Sequence, residues 1–411
     1  MKIEHYRRLD CRLCGSKDLS KELELTPTPP ADSYVDKANL NDKQDLIPLD
    51  LYLCSGCGHT QIGNVIDGKA VYDNYIYETA STLGLGDHFK DCVETVMKQF
   101  SPKQGGLVLD IGSNDGILLK YFKDQGMEAI GIDPMPGIGE KAAENGIETL
   151  PDYFDEEYAV NFREKYGSPR VICSNNLVAD TDDLSGFVRG VKNLMDEDSI
   201  FFFETFYFYL QVNNFVWDFT YHEHYSYFTI KPLVQYFDKM EMELIDVTPN
   251  LTKGGSMRVT VQLKGGTRKI NPSVEEQILK EEKEGFQTKK VFERYSAKIQ
   301  KGKKEFQEYM ESLAGKKIVG YGASATSTTL LYHYDMAGNL DYLVDDFVAK
   351  QGLFSPGNHL EVYPSEEIYS NKPDYVVILA WRYHEKIIKR HQRYLDEGGH
   401  FILPLPELIV I

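Results

Sequence analysis

This 411-residue sequence predicts an α/β protein in three units, a small cysteine-bearing N-terminal domain followed by two domains on parallel sheets. Three observations carry that prediction. Two Cys-x-x-Cys-Gly knuckles, Cys11–Gly15 and Cys54–Gly58, lie near the N-terminus. A strand–glycine loop–helix pattern opens at Leu107, and a second one opens at Lys317. At roughly 100–200 residues per domain, this length favours two to four domains. The expected units are 1–70, 71–265 and 266–411.

Composition narrows the function. The chain is 42% apolar and 26% charged, an ordinary globular balance. Its 45 basic and 63 acidic residues leave a net charge of −18, which argues against nucleic acid as a partner because phosphate binding needs a basic surface. No run approaches the ~18 apolar residues of a membrane span. The opening Met1-Lys2-Ile3-Glu4-His5-Tyr6 lacks the apolar core of a secretory signal. The expectation is a cytoplasmic protein without a membrane partner.

In a reducing compartment, paired cysteines read as metal ligands or redox groups. Cys11, Cys14, Cys54 and Cys57 fit a structural Zn²⁺ held by four thiolates. A thioredoxin-like redox pair is the competing reading, but it needs only one such pair and prefers a βαβ context. Pro27, Pro29, Pro30 and Pro48 between the knuckles suit an extended loop. Cys92 and Cys173 stand alone and read as small core residues.

The second unit begins with Tyr72, Tyr75 and Tyr77, followed by a helical pattern over 88–100. Leu107–Ile111 then reads as a strand, Gly112–Gly116 as a loop and Ile117–Phe122 as a helix. Further strands are expected at Ala129–Asp133, at Arg170–Ser174 leading into Asn175-Asn176, and at Ser199–Phe203 ending at Glu204. Strands alternating with helices imply a doubly wound sheet with its ligand site at the strands' C-terminal ends. Residues 273–312, rich in Lys and Glu, read as one long amphipathic connector helix. The third unit repeats the βα pattern at Lys317–Leu330, with strands at Tyr342–Asp345 and Tyr375–Leu379.

The loop Asp110-Ile-Gly-Ser-Asn-Asp-Gly116 lacks the G-x-G-x-x-G spacing of a dinucleotide site. Asp110 and Asp115 would repel a diphosphate but accept a cofactor carrying an ammonium and a sulfonium. S-adenosylmethionine (SAM) is such a cofactor, and Asp133 is placed to accept from its ribose hydroxyls. The cofactor-binding candidates are Asp110, Gly112, Asn114, Gly116, Asp133, Asn175, Asn176 and Tyr77. An ordinary βα turn with acidic surface residues is the plain alternative.

Tyr221, His222, Glu223 and His224 are four consecutive proton-handling candidates in an aromatic surround. A spacing of three puts Tyr221 and His224 on one side of a helical or irregular turn, and on opposite faces of a strand. Histidines held structurally by hydrogen bonds are the competing reading.

On these residues the chain resembles the sugar-nucleotide C-methyltransferases of deoxysugar biosynthesis, of the C-3-methyltransferase type. The resemblance runs through both knuckles, the Asp110–Gly116 loop and Tyr221-His-Glu-His-Tyr-Ser-Tyr-Phe228. It continues through Gly254-Gly-Ser-Met-Arg258, Gly320-Tyr-Gly-Ala-Ser324 and Val344–Gly352, followed by Pro356-Gly357. It implies a zinc domain, a Rossmann-like SAM methyltransferase domain, and a C-terminal Rossmann-like domain that binds a sugar nucleotide. It also implies methylation of a ring carbon, commonly C-3, beside the 4-keto group of a nucleoside-diphosphate sugar. A base removes the α-proton and the enolate attacks the sulfonium methyl. Tyr221 and His224 become the base candidates, Glu223 a relay, and His222 or His224 a donor to the enolate oxygen. Lys253, Arg258, Ala323, Ser324, Lys350 and Arg382 become substrate-binding candidates.

Three positions depart from the family pattern. Asp180 and Lys253 stand where relatives often have histidine, and Thr326 where many have lysine. An ionised Asp180 cannot donate a hydrogen bond to an enolate. Transfer to oxygen or nitrogen, and a zinc-ribbon binding protein with an idle methyltransferase-like domain, are the other readings of the same residues.

Overall fold

The computed structural model describes residues 4–66 and 84–411. Tyr77 and the aromatic stretch around it lie outside the described residues.

The N-terminal unit is a small antiparallel sheet, and residues 29–46 between two of its strands form the irregular stretch that the prolines predict. Strand β1 (His5–Arg7) pairs with β5 (Asn64–Ile66), and β2 (Leu19–Thr28), β3 (Ile47–Cys54) and β4 (Thr60–Ile62) form an antiparallel meander. Leu23, Leu25, Leu49, Leu51 and Leu53 are buried and hold the meander together. Pro27 is tolerated because the β2–β3 register shifts between Leu25 and Thr28, where no ladder hydrogen bond is demanded.

The central unit has five parallel strands, β6 (Leu107–Ile111), β7 (Glu128–Ile132), β8 (Glu148–Leu150), β9 (Val171–Asn175) and β10 (Ile200–Phe206). Ile200–Phe206 is buried throughout, as a strand covered on both faces must be. The strand β11 (Ser226–Tyr227) leaves this unit and pairs with β4, so the N-terminal sheet takes its last strand from the polar–aromatic run. A hairpin of β12 (Met242–Asn250) and β13 (Ser256–Leu263), absent from the sequence reading, closes the other edge. The order is β12-β13-β10-β9-β6-β7-β8. The chain reverses direction across the sheet between β6 and β9, which opens a crevice beyond their C-terminal ends.

The connector is two helices, not one: Ser273–Glu284 and Lys289–Ser312. Gly285, at φ +77°, ends the first, and the bend drives Phe286 fully into the core against Phe208 and Tyr209, with ring centroids 5.8 and 5.0 Å apart. Beyond it, β14 (Ile318–Tyr321), β15 (Leu343–Asp345), β16 (Val362–Pro364), β17 (Tyr375–Ile378), β18 (His400–Leu403) and β19 (Ile409–Val410) form one sheet. Its order is β16-β15-β14-β17-β18-β19, parallel except for the last strand.

The helix Ala325–His333 joins all three units. Thr328 Oγ1 donates to Ala31 O at 2.7 Å, and Thr329 Oγ1 to Thr220 O at 2.8 Å. Thr26 N donates to His333 Nδ1 at 3.1 Å. Among the described residues no helix is long and apolar enough to cross a membrane.

Candidate active site

The four knuckle cysteines converge, with all their Sγ atoms within 4.8 Å of one another. The Cys11–Cys57 and Cys14–Cys54 sulfurs are 3.6 and 3.5 Å apart. Sulfurs around a tetrahedral zinc with bonds of ~2.3 Å would lie ~3.8 Å apart, so the set fits that ion without rearrangement. Gly15 and Gly58 both take positive φ, which lets their amides fold back onto Cys11 O and Cys54 O at 2.9 and 2.8 Å.

At the crevice, Asp110 is buried at the penultimate position of strand β6, and burial pushes its carboxyl up to about 8 while its Oδ1 has no hydrogen-bond partner. Gly112, Asn114 and Gly116 all turn the chain through positive φ. Asp133 receives Asn114 N at 2.9 Å and Met135 N at 3.0 Å, so it fixes the loop while each oxygen keeps a lone pair. Asn175 accepts from Glu204 N at 2.9 Å, and Asn176, at φ +57°, donates its amide to Glu204 O at 2.7 Å.

The Tyr221–His224 segment is a tight turn, closed by His224 N donating to Tyr221 O at 3.1 Å. The turn stacks the two rings, with centroids 4.0 Å apart, and Phe206 and Phe219 wall the imidazole at 4.5 and 5.1 Å. His224 Nδ1 lies 3.1 Å from Phe219 O. A carbonyl only accepts, so Nδ1 carries the hydrogen and Nε2 the lone pair. Burial holds this imidazole down to about 3, so it is neutral. Glu223 is half-buried and pushed up to about 8, with Asp32 adding to the burial and Lys350 opposing it. His222 does not join this group. Its ring is buried toward the N-terminal sheet, Nε2 3.1 Å from Ile47 O, and burial lowers it to about 4. The His222 ring meets Ile47 O and the His224 ring meets Phe219 O, so the turn sets the two histidines against different segments.

The substrate-binding candidates divide. Lys350 pairs with Asp32 and lies over the Tyr34 ring at 4.3 Å, which brings the N-terminal unit into the cleft. Arg382 donates to Asp218 at 3.0 Å and to Thr326 at 3.1 Å. Lys253, at φ +52°, faces His224 and Asp180 electrostatically. Ala323 N is already given to Asp345 at 2.6 Å, and Ser324 caps its own helix through Ser327. Both therefore shape the loop instead of offering open donors. Arg258 is buried on β13 opposite Glu204 and faces Cys92, because strand pairing decides its side of the sheet.

Four residues escaped sequence reasoning. Glu204 receives His88 Nε2 at 2.7 Å, Asn250 at 3.0 Å and Thr252 at 3.2 Å, tying the helix Leu85–Phe100 to the Lys253 turn. Its place at a strand end was the available signal; its three partners come from distant elements.

Three family models match in order. Residues 11–72 match "Putative zinc binding domain", residues 87–247 "Methyltransferase domain", and residues 251–406 "C-methyltransferase C-terminal domain". The C-methyltransferase NovU of Streptomyces niveus is 27% identical over 405 residues, spanning 98% of this chain and 96% of its own. Solved methyltransferase structures match part of the chain, two of them as follows. Magnesium protoporphyrin IX methyltransferase from Synechocystis, with bound SAH, is 12% identical, with 44% of this chain and 84% of that chain covered and a TM-score of 0.35. The plantazolicin methyltransferase BpumL, with SAH, is 12% identical over 43% of this chain and 82% of that one, with a TM-score of 0.34. By its three matched domains and its full-length likeness to a C-methyltransferase, the chain belongs to the SAM-dependent C-methyltransferases that carry an N-terminal zinc-binding domain.

Proposed function

We propose that the chain methylates a ring carbon, C-3 by family position, next to the 4-keto group of a nucleoside-diphosphate deoxysugar. The observation that carries this reading is the neutral His224, its Nε2 lone pair held in an aromatic wall beside Tyr221. A carbon acid next to a ketone needs such a base, and a positioned one contributes ~10²–10⁴-fold. SAM supplies the electrophilic methyl group when bound. Asp110, Gly112, Asn114, Gly116, Asp133, Asn175 and Asn176 would hold it, and Cys11, Cys14, Cys54 and Cys57 would hold a structural zinc. Tyr221 orients or assists the base, and Glu223 relays protons toward Lys350 and Asp32. Lys350, Arg382 and Lys253 offer positive charge to the sugar nucleotide.

The test is incubation with SAM and 4-keto-6-deoxy sugar nucleotides bearing thymidine, cytidine or guanosine. One added methyl and release of label from the carbon beside the ketone are expected. Methylation with that label retained would move the transfer to oxygen or nitrogen, and no turnover on any of these donors would reject the reading.

A further inference from the structure

Asp180 closes the short turn Val178–Asp180 that follows strand β9. This turn is stitched to the catalytic segment, since Tyr225 N donates to Ala179 O at 2.8 Å. The carboxyl is thereby aimed at His224, with Oδ1 3.9 Å from Nε2 and only 13% and 11% of the two side chains exposed. That distance is too long for a direct hydrogen bond. Asp180 Oδ1 is buried with no hydrogen-bond partner. A buried carboxyl oxygen left so is costly unless a ligand meets it. Two complementary groups therefore lie 3.9 Å apart: a carboxyl oxygen lacking a partner and an imidazole lone pair.

The charges around them fix their resting forms. Burial, with Glu223 adding to it, pushes the Asp180 carboxyl well above the usual carboxylate range, and Lys253 opposes this only in part. His224 is held neutral by burial, with Lys253 acting in the same direction. A neutral carboxylic acid can donate a hydrogen bond, as the ionised form assumed from the sequence cannot.

We propose that Asp180 and His224 act as an acid–base pair on the keto substrate, His224 Nε2 taking the α-proton while the Asp180 carboxyl protonates the carbonyl oxygen. This rests on the function proposed above. The C–H bond breaks and an N–H bond forms at Nε2. The C–H electron pair becomes the enol double bond, and the carbonyl π pair takes the proton from Asp180. A neutral enol then lies over an imidazolium–carboxylate pair. The enol carbon takes the methyl group from the sulfonium donor, which leaves as the thioether. The enol O–H proton returns to Asp180 as the ketone re-forms, and the imidazolium proton passes to water. No free enolate charge has to be carried by a fixed cation.

The experiment follows exchange of the α-hydrogen in deuterated water, on the 4-keto sugar nucleotide without SAM. It compares wild type, Asp180→Asn and Asp180→Glu, with substrate affinity measured by calorimetry. Asn donates a hydrogen bond but transfers no proton, so exchange should fall ~100-fold with affinity within about threefold. Asp180→Glu keeps a transferable proton and should retain at least ~10-fold more exchange than Asp180→Asn. Equal exchange in the two variants, or Asp180→Asn near the wild-type rate, would overturn the pair. A wild type that neither exchanges nor methylates would remove the proposed function itself, whereas an active wild type with an unaffected variant removes only Asp180.

Discussion

Arg382 and Asp218 meet across the boundary between the C-terminal and central domains, Nη1 3.0 Å from Oδ2, with the aspartate fully buried. Trp381 Nε1 donates to the same oxygen at 2.9 Å, and the second guanidinium nitrogen reaches Thr326 at 3.1 Å. Thr326, a departure from the family pattern, thus helps fix the arginine. Removing one partner leaves a buried charge unpaired, a loss of about 3 kcal/mol or more. Arg382→Ala should lower the urea midpoint accordingly, and Arg382→Lys should restore little because it cannot reproduce the fork. An unchanged midpoint in Arg382→Ala would show that the pair does not hold the domains.

If Asp110 holds the donor as proposed, it should set a pH dependence on SAM affinity. Its carboxyl is pushed up to about 8, so below that pH it is mostly neutral and a bound cation must displace its proton. SAM affinity should therefore weaken as pH falls from 7.5 to 6, up to ~10-fold per pH unit. In Asp110→Asn the affinity should be weaker and flat over that range. Calorimetry across the range checks both, and a flat wild-type profile would defeat the electrostatic role.

Glu281 couples the connector to the central domain. It accepts Tyr207 Oη and Ile230 N, both at 2.7 Å, and Gln287 Nε2 at 3.2 Å. Burial nevertheless raises its carboxyl from 4.5 to about 7. A raised carboxyl favours the fold below pH 4.5 and loses that contribution as pH rises through 7. The span corresponds to ~3 kcal/mol. Glu281→Gln should gain stability relative to wild type between pH 5 and 8, read as the difference in denaturation midpoint at each pH.

Zinc removal should reach the active site. Arg12, beside Cys11, pairs with Asp182 at 2.9 Å and donates to Ile62 O at 3.0 Å, and β4 carries the strand that follows the Tyr221–His224 turn. Cys11→Ser should abolish stoichiometric zinc by elemental analysis and lower methyl transfer at least ~10-fold, since structural zinc contributes ~10–16 kcal/mol of binding free energy to folding. Full activity in metal-free protein would separate the knuckles from catalysis.

The sequence by itself determined what depends on neighbours along the chain. The knuckle spacing, the loop after β6, the strand–helix alternation and the Tyr221–His224 run were all legible because each is a local pattern. The proline-rich stretch between the knuckles was legible as well: residues 29–46 are irregular, and only Pro27 and Pro48 fall inside strands, Pro27 where a register shift in the pairing accommodates it. The single connector helix failed because its charge pattern is continuous, whereas Gly285 and the burial of Phe286 divide it. Only tertiary structure decided that His222 turns toward Ile47, that Arg258 faces Cys92, that Asp32 reaches Lys350, and that Asp180 faces His224. A side chain's partners and protonation depend on burial and on charges brought in from distant segments, and those exist only once the chain has folded.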